Sequence, residues 1–200
     1  MNRKIGMVSS LVTMLAVASF ALCMLLNSLM GSYLASMFIA WGFLPMVCAF
    51  AARARDEARA AALTGVAFAA VYCVLIAVVY FTQLTAVRLS PLSEEALSIL
   101  DYTRFGLFFS LDLLGYAFMA LSTFFLGLTI NPTGRADRWL RGLLMVHGVF
   151  AVTCVVFPIL GLFKPGMAGG DLIGVLVLEF WCAYFLPVCA LAYRFFKCAE

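Results

Sequence analysis

Charge is what this sequence has least of. Only 12% of its 200 residues are Asp, Glu, Lys or Arg, about half the share found in ordinary soluble domains. Apolar residues make up 66%, and the mean hydropathy is +1.09. A soluble globular domain and a disordered chain are both excluded, because neither tolerates so much apolar surface with so few solvated groups. With a net charge of only +3, a nucleic-acid partner is not expected either. Histidine occurs once, and the seven cysteines show no C-x-x-C and no Cys/His ligand spacing. A metal centre is therefore not expected, nor is any other cofactor. Most of the thiols fall inside apolar runs, where they act as small buried hydrophobes. The signatures H-E-x-x-H, G-x-S-x-G, P-loop and G-x-G-x-x-G are all missing, so no familiar catalytic or nucleotide site is encoded.

What is present is long continuous apolar sequence. A bilayer core takes about 20 apolar residues per helix. Residues 5–52 carry no charge, and neither do residues 60–87. The first run is twice the length of one crossing and predicts a helical hairpin, its turn placed at Gly31-Ser32. Apolarity here is continuous rather than alternating, which excludes a transmembrane barrel. Backbone groups facing lipid must bond within their own segment, so these runs are helices. The expected fold is an all-α, six-transmembrane-helix bundle forming a single domain over residues 1–200, with spans at about 7–30, 33–52, 60–87, 105–130, 140–162 and 172–194. The N-terminal stretch begins like a secretory signal but is too long, and is read as the first span. Pro45, Pro158 and Pro187 are expected to kink their helices. Gly65, Ala69, Cys73 and Ala77 form a small-residue seam for close helix packing.

Basic residues divide unevenly between the alternate ends of these spans. Arg3, Lys4, Arg53, Arg55, Arg59, Arg135, Arg138, Arg141, Arg194 and Lys197 belong to one side, and Arg88, Arg104 and Lys164 to the other. Short basic connections stay in the cytoplasm. The expectation is a multi-pass protein of a bacterial plasma (inner) membrane with both termini cytoplasmic. The connection after the third span is the longest on the outer side. There Ser90-Pro91 is expected to cap a short helix carrying Glu94 and Glu95 in its first turn.

Two acids interrupt apolar spans. An ionised carboxylate costs at least about 2.5–3.5 kcal/mol inside a span, so Asp112 and Glu179 should face the bundle interior. Both lie roughly 10 Å below the outer surface, counted at 1.5 Å per residue. The last turns of the third span bring Tyr80, Gln83 and Arg88 towards the same level, and Tyr116 follows Asp112 by one helical turn. Together, Tyr80, Gln83, Arg88, Asp112, Tyr116 and Glu179 are the expected lining of an outward-facing polar cup for a small polar or cationic solute. His147 is read as an interhelical hydrogen-bonding group remote from the acids. Trp139 is read as an interface anchor, and Trp41 and Trp181 as packing groups.

The stretches Tyr80-Phe-Thr-Gln-Leu-Thr-Ala-Val-Arg88 and Leu111-Asp-Leu-Leu-Gly-Tyr116 resemble a combination found in a group of uncharacterised bacterial multi-pass membrane proteins. The likeness covers the third and fourth spans, about 40 residues, and implies no activity. The function classes left open are binding or translocation of a small solute or ion, an accessory or scaffolding role in which the polar network only pins helices, and a membrane enzyme acting on lipid. Besides the lipid bilayer and a solute, the expected partners are a second copy of the chain or a transporter partner subunit.

Overall fold

The structure, a computed structural model, describes residues 1–163 and 172–198. Its helices are α1 (Asn2–Leu25), α2 (Leu29–Ala51), α3 (Arg59–Thr82), α4 (Glu94–Leu100), α5 (Leu107–Thr129), α6 (Arg135–His147), α7 (Val149–Ile159) and α8 (Leu172–Lys197). Among the described residues there is no strand. Six segments are long and apolar enough to cross a membrane: α1, α2, α3 with its flanking turns, α5, α6 joined to α7, and α8. The chain is thus an all-α six-helix bundle of the multi-pass membrane class. Lys164, counted above as an outer basic residue, lies outside the described residues.

The first hairpin turns earlier than Gly31-Ser32. Asn27 adopts φ 53°, a left-handed conformation that Asn tolerates better than most residues. Around it Ser28 N–H donates to Cys23 C=O at 2.8 Å and Asn27 N–H to Met24 C=O at 3.1 Å. This is the paired-bond arrangement that closes a helix C-terminus. Gly31 and Ser32 continue into α2 instead. The same pair of bonds ends α7, with Gly161 at φ 64°. Pro158 lies inside α7, and the expected 140–162 span is interrupted at Gly148 rather than at this proline. The main chain of Gly148 passes so close to α5 that a Cβ there would sit 2.9 Å from Phe124 Cβ. Helices α2 and α8 run on through Pro45 and Pro187. In the connection between α3 and α5, Ser93 rather than Ser90 caps α4, accepting from Ala96 N–H at 3.3 Å. That register still leaves Glu94 and Glu95 in the first turn. Hydrogen bonds from its own backbone N–H and from Ser93 hold the Glu95 carboxyl below its ordinary pKa.

Around the bundle the helices follow the order α1, α2, α3, α5, α6 with α7, and α8, which closes on α1. Helix α6, not α7, carries the contact with α8. The core concentrates where α2, α3 and α8 meet. Phe43 packs edge-on to Tyr72 with centroids 5.5 Å apart and lies 6.2 Å from Phe185. Nearer the termini, Phe50 lies 4.5 Å from Phe196. The seam on α3 packs on α5: the Gly65 carbonyl accepts the Ser122 hydroxyl at 2.8 Å. Outward faces present large apolar side chains such as Leu15, Val74 and Phe81, which suits a hydrocarbon solvent. Trp41 belongs to this outer surface, half exposed against Phe38, and is not the packing group expected of it. Trp181 is buried as expected.

Candidate functional site

Beneath α4 the bundle is hollow. A cavity of about 510 Å³ is enclosed by the last turns of α1, the first turns of α2, the end of α3, the first half of α5, α7 and the start of α8. Asp112 lies five residues into α5, roughly 8 Å along its axis, and its side chain lines the cavity while being only 2% exposed. Tyr80 and Tyr102 line the cavity with it. Its Oδ1 has no hydrogen-bond partner among the described residues. Buried carboxylate oxygens are normally satisfied, so an unpartnered one in a residue beside a cavity points to an acceptor kept for something else.

Aromatic rings surround this carboxyl. Tyr33 of α2 lies 5.4 Å from Tyr80 and 6.0 Å from Tyr102, and the last two are 6.0 Å apart, so three phenols from three segments form one cluster. One turn beyond Asp112, Tyr116 meets Trp181 of α8 edge-to-face at 5.6 Å. Burial, followed by the nearby charge of Asp112, raises the pKa of the Tyr102 phenol well above its ordinary value. It is therefore a neutral donor.

Tyr102 precedes the α5 span, and Gln83 puts it in place. The Gln83 amide donates to Leu100 C=O at 2.8 Å and accepts from Tyr102 N–H at 3.0 Å. One buried side chain thereby ties the α4 connection to the end of α3. Gln83 opens a π-helical turn, Gln83–Val87, a wider turn often found at functional sites. Phe105, at φ 59°, follows in the left-handed region, with its ring 4.5 Å from Phe109 beside the cavity. A bulky residue in that backbone conformation stores strain.

The six residues expected to line one cup therefore divide. Tyr80, Asp112 and Tyr116 line the cavity. Gln83 supports it from behind through Tyr102. Arg88 is exposed, donating to Leu84 C=O at 3.1 Å and to Met30 Sδ at 3.6 Å. It makes no ion pair with Asp112, because the π turn carries it past the end of α3 to the rim. Glu179 is partly exposed on α8 and does not line the cavity; Leu178 and Trp181, on the neighbouring face, do. Its Oε1 has no hydrogen-bond partner among the described residues.

The sequence reading missed four lining groups. Tyr33 and Tyr102 gave no periodic signal, one lying in a charge-free run and the other in a connection. Trp181 was read only as packing. His147 was placed far from the acids, yet it lines the same cavity, because the break at Gly148 ends α6 deep inside the bundle. Both its nitrogens are committed. Trp181 Nε1–H donates to His147 Nε2 at 3.1 Å, so Nδ1 carries the ring proton and donates to Thr123 Oγ1 at 2.8 Å. The Thr123 hydroxyl in turn donates to Ala120 C=O at 2.8 Å. With Nε2 accepting, the imidazole is neutral. Among the described residues, no group of three or more His, Cys, Asp or Glu side chains could hold a metal ion. No family model, curated protein or solved structure matches the chain.

Proposed function

We propose that this multi-pass membrane protein binds a small polar or cationic solute in the cavity beside Asp112, as the binding step of translocation across a bacterial plasma membrane. The observation that carries the reading is the buried Oδ1 of Asp112, left without a hydrogen-bond partner in a residue that lines a cavity of about 510 Å³, a size typical of small-molecule sites. The cavity lies in the half of the bundle under α4, while towards the termini the core around Phe50 and Phe196 is packed, an arrangement that fits one access state of a transport cycle. The excess of Lys and Arg at the opposite end of the spans supports an outward-facing cavity with both termini cytoplasmic. Catalysis on lipid is less well supported, since the single imidazole has both nitrogens engaged in structural bonds.

The test is solute-induced thermal stabilisation of the purified full-length protein against a panel of small ammonium compounds, sugars and carboxylates. Wild type is expected to be stabilised by at least one class, and Asp112→Asn to lose that stabilisation while keeping its own unfolding temperature within a few degrees. Collapse of the Asp112→Asn fold together with no stabilisation of wild type would favour a purely structural network. Topology has its own check. A cysteine introduced by Ser98→Cys should react with a membrane-impermeant maleimide added outside intact cells, and labelling only from the cytoplasmic side would reverse the orientation.

A further inference from the structure

We infer that the solute is a hydrophobic, monovalent organic cation of the quaternary or charge-delocalised kind, its positive centre seated between Asp112 and the Tyr33, Tyr80 and Tyr102 rings. This inference rests on the reading that the cavity binds a solute, and it narrows the chemistry of that solute.

Charge is the first argument. Among the described residues, Asp112 is the one carboxyl lining the cavity, and no Lys or Arg lines it. The arginines at the end of α3 and just before α5 are committed elsewhere: Arg88 to Leu84 and Met30, Arg104 to Glu94 at 3.3 Å. His147 is held neutral by the Trp181 N–H. A ligand bringing one positive charge is thus the partner that leaves the buried site neutral, whereas an anion would meet an acid with no cation to offset it.

The second argument is the surface offered to that charge. Positive centres are attracted to the faces of Tyr and Trp rings within about 6 Å. The tyrosine cluster and the Tyr116–Trp181 pair supply such rings on either side of the carboxyl, beneath Met24 and Phe109. A compact, strongly hydrated ion would need to replace its water with several oxygen ligands. Calcium takes six to eight, and here a single carboxylate stands among phenols and hydrocarbon. A quaternary or delocalised cation is weakly hydrated and makes no such demand.

Size is the third. The cavity far exceeds an inorganic ion, and its remaining walls, including Phe20, Leu113, Phe150 and Phe157, are mostly apolar, with the Ser32 and Thr153 hydroxyls donating to carbonyls of their own helices. Those walls suit the hydrocarbon or aryl body of the cation. A sugar or a zwitterion would leave many of its polar groups unpaired against them.

The experiment compares phenyltrimethylammonium with tert-butylbenzene, which has nearly the same shape and no charge, by equilibrium binding to the full chain in nanodiscs. The cation should bind at least about tenfold more tightly, and Asp112→Asn should remove about tenfold or more of that affinity, as loss of a charge-assisted contact does, while the neutral compound is unaffected. Tyr33→Leu keeps the bulk but removes a ring face. It should weaken the cation about three- to tenfold, within the range of a cation–π contact, and leave the neutral compound nearly unchanged. That second variant carries the test if Asp112→Asn does not fold. Equal binding of both compounds, insensitive to either variant, would overturn the cation inference and leave an apolar solute site standing. Failure of both to bind, while a sugar or carboxylate from the panel stabilises the protein through Asp112, would also overturn it. Failure of every compound would remove the solute-binding reading itself.

Discussion

The two halves of this bundle are built from the same residue types and end up doing opposite things. In the half near the termini, Phe43, Phe50, Phe185 and Phe196 meet ring to ring and are at most 2% exposed. In the half under α4, Phe105, Phe109, Phe157 and four tyrosines stand around open space. Two features separate them. Among the described residues, helix α8 is held by α1 and α6, whereas α7 makes little contact with it. The hollow half also has a carboxyl beside its open space, and an ionised carboxylate is costly to seal into a dry core without a partner. Aromatic content alone therefore does not distinguish a core from a site. The deciding features are helix divergence and a polar atom left over.

Substitutions can break or sharpen this contrast. The largest effect is expected for Phe43→Ala in the filled half, a loss of about 3–5 kcal/mol from the cavity it leaves, measured by denaturation in mixed micelles. Next comes the bond chain that fixes His147. Thr123→Val removes the acceptor for Nδ1–H, and stranding a buried donor should cost about 1–3 kcal/mol in the same assay. Gln83→Leu removes two hydrogen bonds worth about 1 kcal/mol each; it should also speed proteolytic cleavage between α4 and α5 and weaken cavity binding by freeing Tyr102. The smallest effect decides the comparison. Phe157→Ala, at a lining ring that is 42% exposed, should cost about 1 kcal/mol or less, since it already borders empty volume. A loss equal to that of Phe43→Ala would mean that the two halves are packed alike.

Expectation and structure part company at particular residues. The six spans were legible because twenty-residue apolar runs have one solution in lipid. The first turn was misplaced by a few residues because Gly31 looked like the breaker, while Asn27 supplied the left-handed conformation. Asp112 and Tyr116 could be read from their four-residue spacing on α5. Arg88 and Glu179 could not, because a π turn and the rotation of a helix about its axis move a side chain off a face without changing its depth. Tyr33 lies in a charge-free run, Tyr102 in a connection and Trp181 two residues past Glu179, and only convergence in space marks them. His147 was misjudged for a related reason: depth was counted along one unbroken helix, and the break at Gly148 redirects it.

By itself, the sequence determined the solvent this chain requires, the number of its crossings and the rarity of charge within them, since burial of apolar residues and the cost of unpaired backbone in lipid act on composition and run length alone. Tertiary structure decided which polar residues meet, that one acid lines the cavity rather than two, and that tyrosines rather than an arginine stand beside it. Those outcomes depend on helix rotation and divergence, set by contacts between residues far apart in the chain.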